Sequence, residues 1–112
     1  MNPIAILHLI AAGAIIAAAV PLIRKRIKMN GWYGVRIPEA FESEEAWIEI
    51  NHYGGRYILW WGIAVAVTSM LGLPLEKKNW IVYDWISLVV ILGGLFVAVL
   101  KTCQYARKRK TA

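Results

Sequence analysis

The residues able to do chemistry in this chain are concentrated in one stretch, NGWYGVRIPEAFESEEAWIEINHYGGR, residues 30 to 56. It holds five of the seven acidic residues, two of the six tryptophans, Arg36 and Arg56, His52 and a Gly-Gly pair. Glu49 and His52 are three residues apart, so on a helix they share a face and could form an acid–base pair or half a metal site. Nothing nearby completes either arrangement, and a solvated surface pair is the expectation. The chain has no HExxH, no glycine-rich phosphate loop and no GxSxG. Neither an enzyme nor a bound cofactor is expected from such a sequence. Cys103 is the single cysteine, which excludes an internal disulfide and a cysteine-based zinc cluster.

The elements that must position this stretch are apolar. Of 112 residues, 59% are hydrophobic and the mean hydropathy is +0.51, where a soluble domain is nearer half apolar. Residues 4–23, 57–75 and 85–100 contain no Asp, Glu, Lys or Arg. About 20 helical residues cross a hydrocarbon core roughly 30 Å thick. Trp80, Ile81, Val82 and Tyr83 extend the third run outward past Asp84, so the sequence predicts transmembrane helices over about 4–23, 57–75 and 81–100. The chain is read as a single integral membrane domain, all-α, spanning 1–112. The first run is not expected to be a cleaved leader, because its basic residues follow it instead of preceding it.

Charge sets the expected orientation. Arg24, Lys25, Arg26, Lys28, Arg36 and Arg56 lie between the first two runs, and Lys101, Arg107, Lys108, Arg109 and Lys110 lie in a basic tail, 101–112. Only Lys77 and Lys78 lie in the other loop. The positive-inside rule then places the N-terminus outside and the C-terminus in the cytoplasm. The net charge of +6 is accounted for by topology and by attraction to anionic membrane lipids, so no nucleic-acid partner is expected. Tyr57, Trp60, Trp61 and Tyr105 are expected at the inner interface, and Trp80, Tyr83 and Trp85 at the outer one. No charged side chain falls mid-span, which disfavours a coupled ion carrier. His8 and Asp84 sit near the outer end, His8 as a satisfied interfacial histidine and Asp84 capping or pairing with Lys77 or Lys78. Small residues four apart, Gly13 and Ala17, Gly62 and Ala66, Gly94 and Ala98, suit close helix packing and a possible homo-oligomer.

Within the cytoplasmic loop 24–56, Asn30-Gly31 is a turn signal, and Pro38 holds Ile37 extended. Ser43 can cap a helix whose first turn holds Glu44 and Glu45. Gly54 or Gly55 can end that helix. Ala46, Trp47, Ile50 and Tyr53 share one face, with Glu44, Glu45, Asn51 and His52 turned away. The pattern predicts a short amphipathic helix on the cytoplasmic face of the membrane, its carboxylates paired with Arg36 and Arg56. Arg36, a glutamate of the first turn and Asn51 are expected to clamp the loop, with Trp32 and Trp47 flanking a shallow site.

The order of residues is also familiar. N-x-W-Y-G-V-R-I-P (Asn30 to Pro38), S-E-E-x-W (Ser43 to Trp47) and N-x-x-G-G-R (Asn51 to Arg56) resemble the motif of the SdpI/YfhL family. The resemblance covers about 27 residues closely and the flanking runs in arrangement. It implies a multi-pass protein of a prokaryotic plasma membrane. By the same token its function would be immunity to a membrane-active peptide toxin, or signalling through a cytoplasmic regulator. It further implies that the motif positions form the binding region: Asn30, Trp32, Tyr33, Gly34, Arg36, Pro38, Ser43, Glu44, Glu45, Trp47, Asn51, Gly54, Gly55 and Arg56. The alternative left open by the sequence is a small homo-oligomeric transporter or channel subunit.

Overall fold

The computed structural model describes residues 1–111. Its helices are α1 (Pro3–Ile23), α2 (Glu44–Gly72) and α3 (Trp80–Thr111), with 3₁₀ turns over Pro38–Glu42 and Lys77–Asn79. No strand occurs among the described residues. Two helical stretches, Pro3–Ile23 and Lys77–Lys110, are long and apolar enough to cross a membrane. In each, only 17% of the most apolar window is buried. The core helix of a soluble protein would be mostly buried, so these exposed apolar faces suit lipid. α2 is more mixed: Arg56, Tyr57, Trp60, Trp61, Thr68 and Ser69 interrupt its apolar run.

α2 lies between α1 and α3 and contacts both along its length. α1 begins with Asn2, whose side-chain oxygen accepts from the amides of Ile4 and Ala5 at 3.1 and 3.4 Å. The Asn2 amide in turn donates to the carbonyl of Leu73 at the end of α2, 3.2 Å away. α1 buries Ala5, Ala12 and Ala19, a narrow stripe of one alanine every seven residues that lets α2 approach closely. Gly62 supplies the facing gap, since a Cβ there would stand 2.8 Å from Ile16. Gly94 does the same on α3, where a Cβ would meet the Trp61 ring at 2.4 Å. Gly13 and Ala17 do not share this role. Nothing lies within 4 Å of a Cβ at Gly13, and both residues face outward.

Buried hydroxyls are satisfied within their own helices. Ser69 donates to Val65, and Thr102 to Ala98, both at 2.7 Å, as polar groups in an apolar setting require. His8 Nδ1 lies 2.8 Å from the Tyr83 hydroxyl, tying α1 to α3. His8 is therefore satisfied, but by Tyr83, which is buried beneath Gly72 and is not an exposed interfacial anchor. Trp61 likewise turns inward and donates to the Ile91 carbonyl at 3.0 Å. Lys78 pairs with Glu76 at 3.4 Å and not with Asp84.

Two boundaries differ from the sequence reading, and both shape the motif. Gly54 and Gly55 do not end a helix; α2 runs unbroken for 29 residues, about 43 Å. The segment from Glu44 is its first turns and not a separate surface helix. The basic tail is also helical, because α3 continues to Thr111. α1 ends at Ile23 and is closed just beyond its Arg24 cap by Lys25, which has φ 60°, with the Arg26 amide donating to Pro21 and the Lys25 amide to Leu22. This is a Schellman closure with lysine where glycine is usual.

Candidate functional site: the motif loop on its helical platform

The loop from Arg24 to Ser43 is folded back onto α2 by its own motif residues. Asn30 builds the first turn: its side-chain oxygen accepts from the amides of Trp32 and Tyr33 at 2.9 and 2.6 Å, and its side-chain nitrogen donates to Lys28 at 2.8 Å. Such an Asx turn replaces backbone pairing that an irregular loop lacks. The Tyr33 hydroxyl donates to the Ala18 carbonyl of α1. Gly34 follows at φ 109°, a conformation that L side chains avoid. A Cβ there would also stand 2.7 Å from the Asn51 side-chain oxygen and 3.1 Å from Trp47. Glycine is required on both counts.

Asn51 explains why the loop docks there. Its oxygen accepts from the Val35 amide at 2.6 Å, and its nitrogen donates to Trp47 at 2.9 Å and Val35 at 3.4 Å. It is 2% exposed, so it faces the core and not away from it. Unpaired, this amide would be costly to bury. Paired, it acts as a backbone-like clip between loop and helix. His52 is also turned inward: its Nδ1 donates to the carbonyl of Ile23, 2.6 Å away, because a carbonyl can only accept. The expected pairing of His52 with Glu49 is not formed.

Trp47 is the centre of the platform. It is fully buried with Ala40, Ala46, Ile50 and Ala106, and partly buried Met29, Val35 and Ile37 pack around them. Its indole nitrogen donates to Ile27 at 3.0 Å, and Phe41 tilts against its ring at 5.2 Å. Ser43 caps α2 by accepting from the Ala46 amide at 3.0 Å, while the Glu44 carboxylate accepts from the Met29 amide at 3.4 Å. Pro38 opens the 3₁₀ turn that delivers Ala40 to the core. The Gly-Gly pair is a junction. A Cβ at Gly54 would meet Thr102 at 3.0 Å, and one at Gly55 would meet Ile23 and Leu22 at 3.1 Å. α1, α2 and α3 therefore converge on these two glycines.

The arginines behave differently from expectation. Arg36 is exposed and donates from Nη1 to the Gly31 carbonyl at 2.6 Å; no glutamate clamps it. Arg109 takes the glutamates instead, 2.6 Å from Glu49 and 4.0 Å from Glu45, while Lys110 lies 3.4 Å from Glu42. The Glu49 carboxylate holds the Arg109 guanidinium above its ordinary pKa. Among the described residues, no carboxylate pairs with Arg36 or Arg56. Arg109 and Lys110 were missed as partners because a basic end reads as a solvated tail. The expected site between Trp32 and Trp47 is not formed either. Trp32 is 80% exposed and Trp47 is enclosed. No cluster of three metal-ligating side chains occurs among the described residues.

A model of the SdpI/YfhL protein family matches residues 26–103. The chain belongs to that family. The match covers the motif loop, α2 and most of α3, and with the lipid-suited helices it makes this an SdpI-like membrane protein. No curated protein and no solved structure matches the chain. In this SdpI/YfhL chain, then, the motif residues fall into three groups. Asn30, Tyr33, Gly34, Pro38, Ser43, Glu44, Trp47, Asn51, Gly54 and Gly55 build the platform. Trp32, Arg36 and Arg56 are exposed upon it, and Glu45 lies at its charged edge beside Arg109.

Proposed function

We propose that this SdpI-like protein is a binding and signalling module of a prokaryotic plasma membrane. It spans the membrane three times, N-terminus outside, with the motif platform at the cytoplasmic surface. There it engages a membrane-active peptide that has entered the bilayer, or a partner protein, as an immunity or signalling function requires. The third span is α2, whose packing between two lipid-suited helices compensates for its more polar composition. The excess of Lys and Arg at the motif end favours this orientation.

The observation that carries the reading is Trp32. Nearly every neighbouring motif residue is used in folding the loop, yet this large aromatic is 80% exposed beside Tyr33, ring centroids 5.9 Å apart. An exposed tryptophan on a rigid turn is a contact residue, since it offers a large apolar area at little entropic cost. The test is Trp32→Ala in cells challenged with membrane-active peptides, at matched membrane abundance. Loss of protection with an intact fold supports the proposal. Full protection by the variant would remove Trp32, and with it this reading.

A further inference from the structure

A groove lies beside the platform, between the motif loop and α3. Its volume is about 350 Å³, within the range of ligand sites. Its floor is the chain from Gly34 to Ile37 with Ile58 of α2, and its far wall is α3 from Leu95 to Cys103. Along α3 those eight steps measure about 12 Å. The walls are mainly aliphatic, and Val99 on the rim is itself 53% exposed.

Polarity runs along the groove in one direction. Leu95 lies deep within the apolar run of α3, and Lys101 is the first charge after it. Arg36 also lines the groove; it is exposed, with one N–H on Gly31 and no carboxylate partner among the described residues. Arg24, Lys25, Arg26 and Lys28 lie on the same loop. A slot that is apolar at hydrocarbon depth and cationic at headgroup depth fits one class of molecule.

We propose that the groove holds an acyl chain of an anionic membrane phospholipid, with its phosphate against Arg36. The lipid fills the gap between the motif loop and α3, so it acts as a structural ligand of the platform. A guanidinium with free donors suits a phosphate oxygen, and the basic loop raises the local concentration of anionic lipid. This assignment stands apart from any peptide or protein that Trp32 contacts.

The test is photocrosslinking of the full chain in bilayer nanodiscs. Phosphatidylglycerol and phosphatidylcholine, each carrying a diazirine on one acyl chain, are compared at equal mole fraction. Adducts should concentrate at Leu95 and Val99 and should favour phosphatidylglycerol. Arg36→Gln should lower that preference about fivefold, whereas Arg36→Lys should keep most of it. Val99→Trp, at an exposed position, should block the groove and remove adducts at Leu95 with both lipids. Adducts as frequent at Leu7 and Ile10 on α1 as in the groove would overturn the proposal. So would a lipid preference unchanged in Arg36→Gln. A second copy seated there would instead give Cys103–Cys103 adducts with a short bis-maleimide and no groove-specific lipid adducts, which also overturns it.

Discussion

Asn51→Ala should release the motif loop while leaving the three helices in place. The side chain makes three hydrogen bonds, to the Val35 amide, the Val35 carbonyl and the Trp47 carbonyl. Each is worth about 1 kcal/mol, and the Val35 amide left without its acceptor adds a desolvation cost of about 1–3 kcal/mol. One of the three is long at 3.4 Å, so about 2–4 kcal/mol of local stability should be lost. At 1.4 kcal/mol per decade, that lowers hydrogen-exchange protection of the Val35 amide by about 30-fold to several hundredfold. Amides in the middle of α1 and α3 should change little. Gly34→Ala attacks the same contact from the other side, because its Cβ would stand 2.7 Å from the Asn51 oxygen. The two substitutions should therefore be markedly less than additive. Exchange of nanodisc-embedded protein, read residue by residue, gives the answer. If Asn51→Ala changes Val35 protection by less than about threefold, under 1 kcal/mol, the clip does not hold the loop. Full additivity with Gly34→Ala would sink the idea of a shared contact.

Three further outcomes follow from the same geometry. Trp47→Ala should cost about 3–5 kcal/mol of platform packing and speed tryptic cleavage after Arg36, while the protein stays in carbonate-washed membranes; cleavage at the wild-type rate would contradict the packing account. Arg109→Ala and Glu49→Ala should each loosen the end of α3 from α2 and should be non-additive at low salt. Their coupling should fade at 1 M salt, and a salt-independent coupling would mean that the contact is not electrostatic. In a Cys103→Ser background, an impermeant thiol reagent on intact cells should label Lys78→Cys but not Gly31→Cys; the reverse pattern would invert the proposed topology.

The runs that form α1 and α3 were legible because helices apolar enough to cross a membrane need only length and freedom from charge, both local properties. Residues 4–23 and α1 agree within a residue, and Ser43 caps α2 as the pattern implied. The family motif was also legible, since it consists of residue types in order. The roles of its members were not. Gly54 and Gly55 are chemically identical to helix-ending glycines, and only the approach of Thr102 and Ile23 makes them packing residues inside a continuous helix. Asn51 looks polar and therefore outward; burial became favourable only once Val35, 16 residues away, was brought within 2.6 Å. The partner of Glu49 lies 60 residues distant, on a tail that proximity in sequence could not connect to it. Helix formation depends on neighbours a turn away, which the sequence contains outright. Hydrogen bonds and ion pairs between distant segments depend on which helix faces meet, and here that was decided by the fit of the α1 alanine stripe and of Gly94 on α3 against α2, and of the α2 glycines against both neighbours.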